Sequence, residues 1–371
     1  MSCQCTTDMI PPYVATHRED IFMPLAEQAY TQYRITPPLP KRPQLTWLPR
    51  KSGNKGIRVE KVVCDVNPLI QIESKPIQAT LHILLQDKTT KKNIIWATNS
   101  YESYGSYYYG ENQITEELIS GLNQHIIQPR VYKSAEAQAL RTQKHAEVFT
   151  PTWICNQMNN FCDEEWFGRK DVFNHQEGKS WTATANKIEF PAKKSWKRYV
   201  DSRRLEITCG EAPFLVSRYD AATGELIPIE RRIGILDRKI RVIGENAESD
   251  AEWIKWCVRA FQSVYGYEYQ GDNLLIGRIN LLMTFVDYYI ARFRKEPKNT
   301  ELRKIANIIS WNLWQMDGLT GTVPYGVPDD NYEQLSMFEN DEDNKQPSCR
   351  IFDWRASRSL EYNELKGAGQ E

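Results

Sequence analysis

The chain has 371 residues and a formal net charge of −1, with 41% hydrophobic and 26% charged residues. This balance is ordinary for a globular protein and excludes a chain dominated by disorder or by one sign of charge. Because the chain has no overall basic field, any contact with nucleic acid must depend on local patches. The length is sufficient for two domains with at least one large core.

Three regions are predicted in chain order. Residues 1–57 read as an irregular arm, because proline pairs and a basic run interrupt them. Residues 58–140 predict a β-rich accessory domain, with strand-like runs over 58–100 followed by two helical stretches. Residues 141–371 are the predicted main domain, and their acidic segment 329–348 is predicted to be a mobile loop.

Strand-like and helix-like stretches alternate along the main domain. The predicted helices cover the segment FTPTWICNQMNNF, with Thr150 as N-cap and Pro151 at the first helical position, then 213–220, 251–264, 272–293 and 300–310. The predicted strands are 203–208, 265–270, 312–317 and 350–355. This alternation predicts an α/β fold with a parallel sheet covered on both faces.

Neither the most apolar segment of the chain nor its N-terminus indicates a membrane or secreted protein. The most apolar stretch, 272–293, carries Arg278 and Asp287, and its apolar residues follow helical spacing, so it predicts a core helix without membrane association. The polar N-terminus does not resemble a signal peptide. We therefore expect a cytoplasmic protein with reduced thiols. Cys3 and Cys5 lack a second pair at zinc-site spacing, and no metal is expected.

The segment LEITCGEAPFL indicates a ligand-binding turn between a strand and a helix. Glu206 lies at the predicted strand end, Cys209 and Gly210 form the turn, and the small Ala212 would allow a ligand to approach closely. In open α/β sheets, ligands bind at the carboxyl ends of the strands. The alternative is a strand–helix corner without a ligand, and the segment alone does not decide between the two.

Two more acidic residues follow successive predicted strands. Glu268 ends the strand-like run YGYE, where a carboxylate can accept ribose hydroxyls, and Asp317 follows NLWQM, where it can accept from an adenine amine. Three polar residues at three successive strand ends favour a nucleoside site over a coincidence of surface charges.

These residues resemble the adenine-specific (N6) DNA methyltransferases of restriction–modification systems over residues 141–325. That family carries an F-T-P segment before the loop D-P-x-C-G-x-G-x-F-L; the corresponding residues are Phe149, Thr150 and Pro151, then Glu206, Cys209, Gly210, Ala212, Phe214 and Leu215. Glu206 replaces Asp, Ile207 replaces Pro, and Ala212 replaces the second Gly. The resemblance implies a Rossmann-like class I sheet that binds S-adenosylmethionine. It assigns the methionine end to 149–151, the ribose to Glu268 and the adenine to Asp317.

The family's catalytic N-P-P-Y segment is absent from this sequence. IPPY at 10–13 cannot accept a hydrogen bond at its first position, TPPL at 36–39 lacks the ring, and TVPYG at 322–326 lacks one proline. The sequence therefore predicts the cofactor-binding subunit of a split methyltransferase, whose partner supplies N-P-P-Y and target recognition. The alternative is an inactive methyltransferase fold that binds DNA or a partner.

Local basic segments are candidates for contact with double-stranded DNA. Trp196 and Tyr199 lie among the basic residues Lys193, Lys194, Lys197 and Arg198, and a second run contains Arg50 and Lys51. Cations next to aromatic rings suit phosphate contacts and base stacking. A solvated surface that balances the acidic residues is the alternative.

Two further short patterns remain hypotheses. QLSMF, with Gln334, Leu335 and Phe338, resembles the peptide by which bacterial proteins bind the replication sliding clamp, and a self-packing loop is its alternative. Asp65, Glu73 and Lys75 have a loose spacing seen in metal-dependent nucleases, and charged strand edges are the alternative.

Overall fold

The computed structural model describes residues 69–145, 147, 150–325 and 347–367. The chain divides into two compact units, Met1–Val66 and Asn67–Glu371, and every described residue belongs to the second. Residues 69–140 and the residues after 150 are therefore parts of the same unit.

The described part of the chain contains more helix than strand, and its strands are short. The α-helices are α1 (Lys75–Gln78), α2 (Leu81–Leu84), α3 (Glu116–Ile119), α4 (Ala135–His145), α5 (Thr152–Phe167), α6 (Trp196–Val200), α7 (Ile235–Asn246), α8 (Asp250–Phe261), α9 (Gly271–Phe293), α10 (Asn299–Asn312) and α11 (Tyr362–Gly367). The strands are β1 (Asn174–Glu177), β2 (Ser180–Ala183), β3 (Arg204–Ile207), β4 (Val264–Glu268), β5 (Leu313–Gln315), β6 (Arg350–Asp353) and β7 (Arg358–Glu361).

Three strands form a parallel sheet in the order β3-β4-β5. Glu206 of β3 pairs with Gly266 of β4, and Glu268 at the end of β4 pairs with Gln315 at the end of β5. β1–β2 and β6–β7 are separate antiparallel hairpins. The α/β prediction is thus confirmed in its coarser form, as helices combined with a small parallel sheet.

Successive side chains of β4 face two different cores, because side chains alternate between the two faces of a strand. Val264 belongs to the large core built with the helices, whereas Tyr265 and Tyr267 pack with Trp314 and Ile351 in a second cluster. Ile351 comes from β6, so a β-hairpin covers this second face where the sequence predicted helices. Leu205 of β3 is only half-buried against the second cluster.

Helix α9 is the central element of the large core. By length and composition it is the one helix in the described part of the chain that could cross a membrane, but 78% of its most apolar window is buried inside the protein. Its Arg278 is fully buried and donates to the backbone oxygens of Leu313, Leu84 and Gln86. The guanidinium therefore ties β5 and α2 to α9, which explains a charge in the middle of an apolar helix.

The predicted β-rich character of residues 58–140 is wrong over the part that is described. The segment 75–84 forms α1 and α2. The segment 86–113 forms the 3-10 helices Asn99–Tyr104 and Ser106–Tyr108, and its β structure is limited to the isolated bridges Gln86↔Asn93 and Ile95↔Gln113. The apolar residues Ile77, Leu81 and Leu84 recur every three to four positions, and all three are buried. This helical period was present in the sequence, but the β-branched residues around it favoured a strand.

Two helix predictions in the main domain also need correction. Residues 213–215 form a turn, 216–220 are irregular apart from the isolated bridge between Tyr219 and Leu226, and the helix of this region is α7, which begins at Ile235. The positive φ of Ala212, +64°, breaks the backbone just before the predicted helix would start. Farther upstream, Pro151 occupies the N-cap position of α5, one residue later than predicted, and no side chain caps this helix.

Candidate functional site

The three acidic residues predicted to bind a nucleoside belong to adjacent strands. Glu206 lies in β3, Glu268 ends β4, and Asp317 follows the end of β5 by two residues. Because the strands are parallel and paired in the order β3-β4-β5, their carboxyl ends meet at one edge of the sheet. The structure therefore brings these three segments to the same edge.

Along the turn after β3, residues with a positive φ angle alternate with residues without one. Thr208, Gly210 and Ala212 have positive φ angles of +50°, +53° and +64°, whereas the residues between them do not. Two donors within this backbone hold the turn itself, because the Cys209 N–H donates to the Tyr267 carbonyl oxygen at 2.8 Å and the Ala212 N–H donates to the Cys209 carbonyl oxygen at 2.7 Å. A Cβ added at Gly210 would meet nothing within 4 Å, so open space lies directly above the turn.

Helix α9 supports this turn from behind. Gly277 lies so close to the turn that an added Cβ would be 3.1 Å from the Gly210 carbonyl oxygen. The Ala212 side chain is fully buried beside Gly277. Ala212 therefore packs against the helix, and its position explains why a glycine with a permissive backbone would suit the same place.

Glu268 connects β4 to the turn. Its Oε2 accepts a hydrogen bond from the Gly210 N–H at 2.8 Å, and its Oε1 accepts from the Gln270 N–H at 3.1 Å. Burial raises the pKa of Glu268 from its ordinary value of 4.5 to about 7, although the two backbone N–H groups oppose the shift. Each carboxylate oxygen has two lone pairs, so both oxygens can accept a further hydroxyl.

Glu206 contacts the backbone of the turn that follows β3. Its carboxylate accepts from the N–H groups of Phe214 at 3.4 Å and Leu215 at 3.2 Å. These bonds fold the end of the turn back onto β3. Glu206 therefore positions the turn through these two hydrogen bonds.

Asp317 and Cys209 complete the placement of the loop residues. Asp317 is half-buried, and its Oδ1 accepts from the Leu319 N–H at 2.8 Å, which fixes a tight turn after β5.

Cys209 is buried, and burial raises the pKa of its thiol well above its ordinary value. The Cys209 side chain faces Gly266 in β4, so it is a packing residue of the turn.

The segment containing Thr150 and Pro151 leads into α5, which contacts the other end of the turn. Asn159 of α5 donates to the Phe214 carbonyl oxygen at 3.0 Å. Cys155, one turn into the helix, is near enough to Glu206 for the carboxylate to contribute to the raised pKa of the thiol, after burial. The assignment of Thr150 and Pro151 to the methionine end of the cofactor stays a prediction, and Phe149 lies outside the described residues.

An ionic cluster behind the site was missed by sequence reasoning. Asp272, in the first turn of α9, accepts from Tyr101 Oη at 2.7 Å, Lys133 Nζ at 2.8 Å and Arg141 Nη2 at 3.0 Å. Glu147 pairs with Arg141 at 2.7 Å and accepts from the side chain of Gln270 at 3.1 Å. This cluster fixes the amino terminus of α9 immediately after Glu268. These partners lie 126 to 171 residues before the α9 residues that they contact, so no local sequence pattern indicates the contacts.

Gln270 and Tyr269 are further site residues that the sequence did not reveal. Gln270 is buried, and its Oε1 has no hydrogen-bond partner among the described residues. A buried acceptor of this kind is costly unless a donor reaches it. Tyr269 directly follows Glu268, and burial together with the Asp317 carboxylate raises the pKa of its hydroxyl, which places that hydroxyl near Asp317 at the same edge of the sheet.

The basic segment predicted to contact DNA lies at the other end of the sheet. Helix α6 ends four residues before β3 begins, and so these residues precede the amino end of the strand. Lys194 donates to the Trp166 carbonyl oxygen and lies over that ring, whereas Lys197 pairs with Glu252 at 3.0 Å. Lys193 and Arg198 are exposed. Arg50 and Lys51 lie outside the described residues.

The remaining candidates do not converge on this site. Glu73 accepts from the Gly121 N–H and Lys75 pairs with Glu296, while Asp65 is not described. Within the described ranges no group of three or more metal-ligating side chains is found. The clamp-like residues Gln334, Leu335 and Phe338 lie outside the described residues. A cavity of about 760 Å³ lies elsewhere, between the β1–β2 hairpin and helices α7 and α9.

Comparison with known proteins adds no assignment. No protein-family model matches the chain, and no curated protein and no solved structure matches it.

Proposed function

We propose that this chain is the cofactor-binding subunit of a split, site-specific DNA adenine-N6 methyltransferase with a Rossmann-like class I sheet. The observation that carries the proposal is the hydrogen bond between Glu268 Oε2 and the Gly210 N–H, which joins the predicted ribose acceptor to the predicted cofactor turn. Sequence resemblance alone placed both residues in one site, and 58 residues separate them along the chain.

The residues at this edge fit a nucleoside with an attached amino acid. The open space above Gly210 can receive a ligand without moving the backbone. Glu268 has unused lone pairs for ribose hydroxyls, and the buried Gln270 Oε1 can accept from a ligand donor. S-adenosylmethionine would supply the electrophilic methyl group. The protein's own contribution is to orient it, because Glu268 and Asp317 hold two parts of a nucleoside at adjacent strand ends.

In this proposal the acceptor for the target amine comes from a second polypeptide. The family's N-P-P-Y segment binds both hydrogens of the adenine amine and stacks its ring on a base flipped out of the duplex. This chain lacks that segment. The partners of the proposed enzyme are therefore double-stranded DNA and a subunit that carries N-P-P-Y.

Radiolabelled methyl incorporation into duplex DNA tests the proposal. We expect no transfer by this chain alone and transfer to adenine N6 when an N-P-P-Y polypeptide is added. Asp317→Ala should abolish transfer while the two chains still associate, and Asp250→Ala, which removes a carboxylate from an exposed ion pair in α8, should not. Robust transfer by the isolated chain contradicts the split site. Absence of S-adenosylmethionine binding in every assembly would instead favour an inactive fold that binds DNA or a partner.

A further inference from the structure

An exposed aromatic surface lies between the described residues 99 and 112, in the sequence NSYESYGSYYYGEN. Tyr104, Tyr107 and Tyr109 have exposed fractions of 51%, 73% and 41%. Tyrosine, serine, glycine and asparagine dominate the segment, as they do in binding loops of antibodies. We call Tyr104, Tyr107 and Tyr109 with Glu102 and Glu111 the tyrosine surface.

The tyrosine surface is held rigidly from below by two other tyrosines. The ring of buried Trp96 packs against Tyr101 and Tyr108 with centroid distances of 4.8 and 5.3 Å. Tyr101 Oη donates to Asp272, and Tyr108 Oη donates to the Leu118 carbonyl oxygen at 3.0 Å. Because the loop is already ordered, a partner that covers the outer rings would lose little conformational entropy on binding.

The charge of the segment distinguishes between classes of partner. Residues 99–119 contain four glutamates and no lysine or arginine. Phosphate groups would be repelled here, so the stacking of nucleic-acid bases on these rings is disfavoured. A protein face with arginine and lysine complements both the glutamates and the π-faces of the tyrosines.

The location connects the tyrosine surface to the candidate site. The Trp96 carbonyl oxygen accepts from the N–H of Gly271, the first residue of α9, and the Ile95 backbone pairs with the side chain of Gln315 at the end of β5. The loop is therefore anchored at the carboxyl ends of β4 and β5. A partner chain that holds the target adenine amine at this edge of the sheet would approach beside this loop.

We propose that the tyrosine surface is the docking site for the polypeptide that completes the methyltransferase, and that this polypeptide binds through an arginine- and lysine-rich face. The inference rests on the proposed function, since it identifies where that partner binds. Aromatic rings with apolar bodies and polar tips are typical energetic centres of protein interfaces.

Calorimetry with a purified N-P-P-Y polypeptide tests this docking site. The triple variant Tyr104→Ser/Tyr107→Ser/Tyr109→Ser should weaken partner binding by about 100-fold or more, as expected when several central interface residues are removed. The matched control Phe161→Ser/Leu226→Ser removes two side chains that are 51% and 60% exposed outside the surface, and it should bind as the wild type does. Glu102→Lys/Glu111→Lys should weaken binding more at low salt than at high salt.

Hydroxyl-radical footprinting provides a second measurement that does not depend on variants. The three exposed tyrosines should be protected in the complex and reactive in the free chain. Equal binding by the triple variant, unprotected tyrosines in a formed complex, or no binding to the wild-type chain would each overturn the docking site. S-adenosylmethionine binding by the free chain is measured separately, so a cofactor site that fails is distinguishable from a docking surface that fails.

Discussion

The carboxylate of Glu268 and the backbone N–H of Gly210 are joined by a 2.8 Å hydrogen bond between the end of β4 and the turn after β3. The bond makes the acidic residue part of the turn. The conformation of the turn around Gly210 depends on the Glu268 carboxylate. Removing the carboxylate should therefore affect both ligand binding and the conformation of this turn.

Glu268→Gln should weaken S-adenosylmethionine binding by about 10- to 100-fold, the effect of losing hydrogen bonds to a charged group worth roughly 1.5–3 kcal/mol. The amide has one carbonyl oxygen, so its NH₂ group must face the N–H of either Gly210 or Gln270. Calorimetry measures the change. Glu117→Gln, an exposed carboxylate in α3, is the matched control. Unchanged affinity in the Glu268 variant would remove Glu268 from the cofactor site.

The same carboxylate predicts a pH dependence, because burial raises the pKa of Glu268 from 4.5 to about 7. The folded state then binds a proton more tightly than the unfolded state. The stabilisation that this proton provides is complete below pH 4.5 and is lost as the pH rises through 7. The total change is about 3 kcal/mol, from 1.36 kcal/mol for each pKa unit.

Urea unfolding of the wild type and of Glu268→Gln at several pH values between 5 and 8 checks this expectation. The wild type should lose stability more steeply than the variant across this range. An ionised carboxylate accepts hydrogen bonds from ligand hydroxyls more strongly than a neutral carboxyl group does, so the affinity for S-adenosylmethionine should rise over the same interval. Parallel stability profiles for the two proteins would contradict the raised pKa.

Gly210→Val should abolish cofactor binding and leave the chain folded. The new side chain enters open space and costs only the left-handed backbone strain, about 1–2 kcal/mol. Gly178 in the β1–β2 turn provides a matched control, because its φ is +56° and an added Cβ there also meets nothing within 4 Å. Gly178→Val should carry the same strain and bind cofactor normally. Normal binding by the Gly210 variant would contradict a ligand above this turn.

Ala212 is predicted to be tolerant of glycine and intolerant of branched residues. Ala212→Gly should change the free energy of unfolding by less than about 1 kcal/mol, because relief of the φ +64° strain is offset by the greater chain entropy of glycine. Ala212→Val should destabilise by about 2–4 kcal/mol, since overpacking adds to the strain. Denaturant unfolding distinguishes them. Equal stability of the two variants would argue against the left-handed backbone at this position.

Asp272→Asn should destabilise the protein by about 3–5 kcal/mol, the cost of breaking a buried ion pair and leaving charges without a partner. The Arg141 and Lys133 cations hold the pKa of Asp272 well below its ordinary value despite burial. Its stabilisation is therefore present above pH 4 and is lost as the pH falls. Asp250→Asn removes an exposed pair, with Asp250 69% exposed, and should have little effect on thermal unfolding. Similar losses in both variants would contradict a structural role for the cluster.

Local patterns in the sequence were sufficient to determine β4, β5, α8, α9 and α10, because apolar runs and helical spacing require burial whatever surrounds them. β3 was also predicted, although its two apolar side chains are only half-buried. The same patterns identified Glu268 and Asp317 as residues at strand ends and Gly210 as a residue of the turn after β3. The rule that parallel strands align their carboxyl ends was enough to predict that these residues lie at one edge of the sheet.

Only the tertiary structure decided what these residues contact. Glu206 accepts a hydrogen bond from the backbone of the turn that follows its own strand. The segment 213–220 is not helical, because Ala212 just before it has a positive φ. Residues 75–84 are helical where α2 packs against α9 and α10. The ionic cluster joins Asp272 to Arg141 across 131 residues. Such contacts depend on which surfaces fold together, and their energies come from burial and charge pairing that short sequence windows do not contain.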